Sequence, residues 1–289
     1  MTVPGRPPSA LRTLALTVFT LIAFASNSIL CRLALAGYSI DPASFTSIRI
    51  LSGAITLAVI VMLSRRGARS GGGWGSAFFL ALYAVAFSFA YITLPAGTGA
   101  LILFGCVQAT MIVAALRAGE RPGPLQWTGL AIALGGLVYL TAPGLAAPSP
   151  AGSVLMALAG IAWGVYTLRG RGSGDPLVAT GRNFLRALPF AIAVSLATIS
   201  RRDVSAHGAT LAVASGAIAS GIGYAVWYAA LRGLSATRAA TVQLSVPVIA
   251  ALGGVLFLSE TVSPRLAVSA VLILGGVGIA LAERARVLR

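Results

Sequence analysis

The reading of the fold turns on residues 94–140, LPAGTGALILFGCVQATMIVAALRAGERPGPLQWTGLAIALGGLVYL, set beside residues 234–280, LSATRAATVQLSVPVIAALGGVLFLSETVSPRLAVSAVLILGGVGIA. One slides onto the other at a constant offset of 140 residues, without a gap. The identities include Leu94/Leu234, Ala96/Ala236, Ala100/Ala240, Glu120/Glu260, Pro124/Pro264, Leu134/Leu274, Gly135/Gly275 and Gly136/Gly276. In a chain rich in Ala, Leu and Gly some of these arise by chance, but the Glu and Pro pairs stand at equivalent junctions between apolar runs. Self-similarity at a fixed offset is the mark of a repeated architecture.

The composition says what is being repeated. Of 289 residues 57 % are hydrophobic and only 9 % charged, and the mean hydropathy is +0.92, whereas soluble domains carry about 25 % charged residues. Apolar runs cover approximately residues 14–30, 45–63, 76–94, 97–116, 125–140, 154–168, 177–199, 209–230, 239–258 and 266–281. At about 20 residues per crossing, ten crossings leave no room for a soluble domain. Helices satisfy their own backbone in lipid, and the alternation of a membrane β-barrel is absent, so the expected fold is an all-α integral membrane protein of ten transmembrane helices. Ala23-Phe24-Ala25 fits a signal-peptide cleavage site, but apolar residues resume at Ile29 and the segment has a later counterpart, so it reads as the first span.

All 21 basic residues are Arg, and the formal charge is +15. Because they cluster between apolar runs, they read as topogenic charges rather than a nucleic-acid surface. With the N-terminus inside, the inner set is Arg6, Arg12, Arg65, Arg66, Arg69, Arg117, Arg121, Arg169, Arg171, Arg182, Arg186, Arg232, Arg238, Arg284, Arg286 and Arg289. The outer set is Arg32, Arg49, Arg201, Arg202 and Arg265, with the Arg201-Arg202 pair as the outlier. Both termini are expected to be cytoplasmic. Cys31 and Cys106 lie within apolar runs and read as packing residues.

A looser match sets Asn27 on Gly164, Arg32 on Arg169 and Asp41-Pro42 on Asp175-Pro176. The repeat unit therefore begins at the first and sixth spans, giving halves 1–142 and 143–289 of five helices each. Five is odd, so the second half enters the membrane from the opposite side. Inverted repeats of this kind typify secondary transporters, whose halves rock about a central site; a duplicated bundle without transport is the alternative.

Gly119-Glu120, Trp127-Thr128-Gly129 and Leu134-Gly135-Gly136, with Ser259-Glu260 and Leu274-Gly275-Gly276 in the second half, resemble the ten-helix EamA-type branch of the drug/metabolite transporter superfamily. The resemblance spans nearly the whole chain and departs at Leu266 to Ser269, which replace the Trp-x-Gly element. It implies export of amino acids or other metabolites, in the manner of bacterial amino-acid exporters including those for aromatic amino acids. It also places the first, third, fourth, sixth, eighth and ninth helices around a central cavity. Related four-helix multidrug exporters carry a glutamate in the first helix, where this chain has Asn27 and Ser28, which favours a gradient-driven exporter over a proton-coupled one.

The acids Asp41, Glu120, Asp175, Asp203, Glu260 and Glu283 fall in loops or at helix ends, and His207 in an outer loop, so no catalytic constellation or metal cluster assembles. No enzyme activity, cofactor or metal is expected. Candidate substrate-binding residues are the polar and aromatic residues within spans. Tyr83 and Phe87 follow at helical spacing with Tyr91; Trp163 pairs with Tyr166; Tyr224 and Trp227 share a face with Tyr228. Such rings stack on planar groups and attract an ammonium, or serve as packing or an interfacial belt. Asn27, Gln108 and Gln243 need a partner helix or a wet cavity. Ser245 and Pro247 mark a hinge, polar contact or plain kink. Glu120 and Glu260 are gate candidates, or hydrogen bonds that define the fold. Arg49 and Arg186 could hold a carboxylate, with snorkelling to the interface the favoured reading. Gly129, Gly135, Gly136, Gly275, Gly276 and Gly278 read as small faces for close helix packing.

The expected function is therefore export of amino acids or related small metabolites across a bacterial cytoplasmic membrane by alternating access. Its partners are a small-molecule substrate and membrane lipid, not nucleic acid; a monomer is compatible with the sequence. The rivals are efflux of aromatic or cationic drugs and, from another class, a multispan enzyme acting on lipid.

Overall fold

Ten helical passes run back and forth between two ends of a bundle. The computed structural model describes residues 9–64, 71–119, 123–144, 147–170, 174–234 and 236–287. The first seven passes are single helices: α1 (Ala10–Ala36), α2 (Pro42–Leu63), α3 (Trp74–Ala90), α4 (Ala96–Arg117), α5 (Pro124–Thr141), α6 (Pro150–Arg169) and α7 (Pro176–Ala197). The eighth comprises α8 (Ala206–Val213), a π-helical stretch (Ala214–Ile222) and α9 (Gly223–Ala230). The ninth is split into α10 (Ala236–Gln243) and α11 (Val246–Leu258), and α12 (Pro264–Val287) completes the chain. Among the described residues eight passes are long and apolar enough to cross a membrane; α3, at 17 residues, is apolar but shorter, and α5 has 18 residues. Among the described residues the only extended pairing is an isolated bridge between Ile40 and Val204.

Local chemistry sets these boundaries. Asp41 accepts from the backbone N–H groups of Ala43 and Ser44 and caps α2, and Asp175 does the same for α7 through Leu177 and Val178. In both cases proline follows, where a missing N–H costs nothing and the fixed φ suits a helix start. These two of the acids expected in loops or at helix ends are thus helix caps. Gly119 (φ +85°) and Ser259 (φ +55°), one offset apart, both adopt the left-handed conformation that ends a helix.

The helices pack as α5 on α12, α3 on α6, α2 on α7 and α4 on α6. Cβ-free positions make the α5–α12 seam possible: a methyl at Gly129 would lie 2.5 Å from the Gly276 carbonyl oxygen, and one at Gly136 would lie 2.7 Å from Leu272 Cβ. The expected small face is only partly realised, because Gly135, Gly275 and Gly278 have nothing within 4 Å and Gly135 and Gly275 lie on the exposed side. A period of 3.6 turns adjacent glycines 100° apart, so only one of each pair can enter the seam.

Tyr91, Phe45, Phe87, Met156 and Ile273 are among the fully buried side chains, whereas Val138, Val154, Leu256 and Phe257 are exposed. An apolar exterior of this extent suits lipid, and together with the apolar helices it identifies an integral membrane protein. Cys31 and Cys106 are buried free thiols, and His207 is exposed near the start of α8 rather than in a loop.

Candidate functional site

The ninth pass, read from sequence as one helix, breaks beside the middle of the bundle. Pro247 cannot donate a backbone hydrogen bond, and the chain before it tightens into successive turns in which Leu244 N–H donates to Thr241 and Ser245 N–H to Val242. The Ser245 hydroxyl is spent on the same Val242 carbonyl at 2.7 Å. Ser245 therefore serves the break rather than a ligand, and the half-buried Gln243 is left at its edge.

Gln243 lines a cavity of about 60 Å³ at the centre of the bundle. Phe24, Asn27 and Ser28 of α1 face it at i, i+3 and i+4, with Tyr83 and Phe87 of α3. Leu103 and Phe104 of α4, Trp163 of α6, and Ser220 and Tyr224 of the eighth pass complete much of the wall. The second and seventh passes also contribute, through Arg49 and Phe184. The rings form a connected set: Tyr83 lies 4.6 Å from Trp163 and Trp163 is stacked on Tyr224 at 5.8 Å. A void of this size holds a few waters, whereas drug-sized ligands occupy pockets upward of roughly 300 Å³. The site must widen to accept a metabolite.

Of the candidate binding residues, Asn27, Tyr83, Phe87, Trp163, Tyr224 and Gln243 meet at this cavity. The others go elsewhere. Gln108 faces α5 and α12 around a separate void of about 10 Å³. Tyr166 is buried beside Trp163, 5.4 Å between rings, without lining the cavity. Trp227 packs edge-on to Phe24 in a cluster with Ala230 and Ala239. Residues i, i+3 and i+4 spread over about 100° of helix surface, so Tyr224 reaches the cavity while Trp227 turns toward α1 and α10. Tyr228 stacks on Tyr224 and shares a hydrogen bond with Thr180 at 2.7 Å.

Arg49 overturns its favoured reading. It does not snorkel: it is 4 % exposed, seven residues and roughly 10 Å along α2 from Pro42. Nη2 donates to the Tyr83 hydroxyl at 2.9 Å, and the guanidinium carbon lies 4.9 Å from the Phe87 ring centre and 5.3 Å from that of Tyr83. Nη1 is buried without a partner. The π stretch packs closely on α2 at this point: a side chain at Gly216 would collide with the Arg49 backbone carbonyl and Ser52. Asn27 is held from the same side, its carboxamide oxygen accepting from Ser215 at 2.8 Å and Ser220 at 3.2 Å. Arg186, half-buried on α7, does not line the cavity.

Glu260 builds a second constellation at the Asp41 end of the bundle. Its carboxylate pairs with Arg32 Nε at 3.3 Å and accepts from the Ala96 N–H at 2.8 Å, at the start of α4. Arg32 Nη1 also donates to the carbonyls of Tyr91 and Ile92 at 3.0 and 2.8 Å. One carboxylate and one guanidinium thus tie together α1, the α3–α4 turn, α4 and the end of α11. A carboxylate beside a helix N-terminus is favoured by the N–H groups exposed there. The left-handed Ser259 and the Cβ-free Gly254 bring Glu260 back over its own helix end. Sequence reasoning singled out Glu260 but counted Arg32 only as topogenic. Glu120 lies outside the described residues.

Phe24 carried a detectable signal, standing three residues before Asn27 on one helix face. Phe184 and Ser220 carried none, because only the packing of α7 and of the π stretch brings them inward.

The comparisons agree with this architecture. The uncharacterized protein PA1977 of Pseudomonas aeruginosa is 53 % identical over 274 residues, covering 94 % of this chain and 96 % of its own. The uncharacterized transporter YwfM of Bacillus subtilis is 28 % identical over 247 residues, covering 80 % and 81 %. A solved crystal structure shares the fold at a TM-score of 0.62 and 22 % identity, covering 93 % of this chain and 97 % of its own. The EamA-like transporter family matches twice, over residues 11–142 and 150–282, so this chain, a membrane transporter, belongs to the EamA-like transporter family.

Proposed function

We propose that the protein exports amino acids or related small metabolites across a bacterial cytoplasmic membrane by alternating access. The observation that carries this reading is the aromatic cavity at the centre of the bundle, where Tyr83, Phe87, Trp163 and Tyr224 surround Asn27 and Gln243. Rings and amides together suit a small molecule with an apolar or planar portion and polar ends.

Alternating access rests on two halves, 1–142 and 143–289, of opposite orientation, with both termini cytoplasmic. The 140-residue offset, the odd number of passes per half and the Arg distribution support that topology. In this reading the Arg32–Glu260 constellation closes the outer end, and the small cavity widens as the halves rock. Pro247 and the break at residues 244–245 supply a place for the ninth pass to bend. No Asp or Glu among the described residues lines the cavity, which supports transport driven by the substrate gradient.

Purified protein in liposomes loaded with amino acids tests the proposal. The expected result is accelerated efflux of at least one class of amino acid, independent of an imposed pH gradient. Absence of acceleration across a broad metabolite panel overturns it.

A further inference from the structure

We infer that Arg49 is the anchor for a substrate carboxylate, so that the transported molecule must carry a carboxylate but need not carry an amine. The inference rests on the proposed export function and names the chemistry of the same cavity.

Three observations converge. The first is an unsatisfied donor: Arg49 is 4 % exposed, yet Nη1 has no hydrogen-bond partner. A guanidinium presents its donors as a planar fork matched to carboxylate geometry, and here the Nη1 side of that fork is unused. The second is charge. Arg49 lies within a membrane-spanning segment, and the lining of the cavity offers no acid among the described residues. The rings of Tyr83 and Phe87 attract the guanidinium, but an aromatic face carries no net charge, so the cavity keeps a positive charge until an anion enters. An uncompensated charge in a low-dielectric interior is costly and is relieved by pairing.

The third observation is the company Arg49 keeps. The Tyr83 hydroxyl accepts from Nη2, leaving its own hydrogen to donate. The carboxamide oxygen of Asn27 is taken by Ser215 and Ser220, so what Asn27 offers a ligand is its amide N–H groups. Arg49, Tyr83 and Asn27 line one small volume, and their spare donors together are what an oxyanion requires. Trp163 and Tyr224 remain for the apolar remainder of the substrate. A cationic drug would meet this charge head-on, which separates the inference from the rival efflux reading.

The test uses the full chain with three matched compounds: phenylalanine, 3-phenylpropionate (amine removed) and 2-phenylethylamine (carboxylate removed). Binding is followed by titration of intrinsic tryptophan fluorescence, and transport by counterflow of labelled phenylalanine in liposomes. In the unmodified protein, phenylalanine and 3-phenylpropionate should bind at least tenfold more tightly than 2-phenylethylamine, and of the two analogues only 3-phenylpropionate should compete well in counterflow. Arg49→Gln should weaken both carboxylates at least tenfold while leaving the amine unchanged; Arg49→Lys should restore part of the difference. Equal binding of the amine, or an Arg49→Gln loss common to all three compounds, overturns the anchor and assigns Arg49 to packing. Carboxylate-selective binding without counterflow leaves the anchor standing and overturns the export reading. No binding of any of the three overturns the anchor, and the efflux panel in liposomes then decides the export reading by itself.

Discussion

Residues 94–140 and 234–280 match in sequence without a gap, yet they fold differently in one half of their length and alike in the other. The fourth helix runs unbroken from Ala96 to Arg117, whereas the corresponding ninth pass is cut between Gln243 and Val246. Their successors, α5 and α12, pack against each other through glycines at seam positions of both copies. Pro247 stands where the first copy has Val107, and Gln243 where it has Leu103. Leu103 and Gln243 nevertheless line the same cavity. At these positions the repeat preserves place while letting chemistry diverge.

A second asymmetry points the same way. Counted from the Asp-Pro caps, Arg49 on α2 and Asn183 on α7 occupy equivalent places. Arg49 turns into the cavity, whereas the Asn183 side-chain oxygen accepts from the Gly73 N–H at 3.0 Å and ties α7 to the start of α3. Only one half carries the charge.

The largest effect should come from forcing the two copies to be alike. Val107→Pro transfers the break into α4, where it removes a helical hydrogen bond and should cost about 3 kcal/mol, read as a lower melting temperature in detergent. The reverse change, Pro247→Val, should leave stability unchanged or higher while slowing transport; unchanged transport would remove the hinge role.

The scaffold half should respond according to seam position. Gly276→Ala presses a methyl against the Gly129 carbonyl and the Ala133 backbone and should destabilise by about 2 kcal/mol. Gly275→Ala, one residue away with open space around it, should be neutral or stabilising by up to about 1 kcal/mol. Thermal unfolding of the pair decides whether the seam is as described, since equal shifts would contradict it.

Glu260→Gln should give the smallest loss of stability, about 1 kcal/mol, because the amide oxygen can still accept from Ala96 while the charge pairing with Arg32 is lost. Its signature is local. A cysteine placed at Thr93 should react several-fold faster with a water-soluble maleimide when the Glu260 constellation is weakened, and an unchanged rate would show that this end is closed by other contacts.

The sequence by itself determined the solvent, the number of passes and the repeat, because hydropathy over some 20 residues, Arg placement and a constant offset are properties of the chain read along its length. It also identified Asn27, Tyr83, Phe87, Trp163, Tyr224 and Gln243, since a polar or aromatic side chain in an apolar run is conspicuous wherever the run goes. Only the tertiary structure decided which faces meet. Trp227 and Gln108 satisfied the same criterion yet face other helices, because spacing defines a stripe on one helix without saying which neighbour covers it. Arg49 reads as an interfacial charge at its distance from the helix end; packing of α2 against the π stretch and α3 turned it inward. Glu260 found Arg32 across 228 residues of chain, a distance at which local pattern carries no information and only the folded bundle supplies the contact.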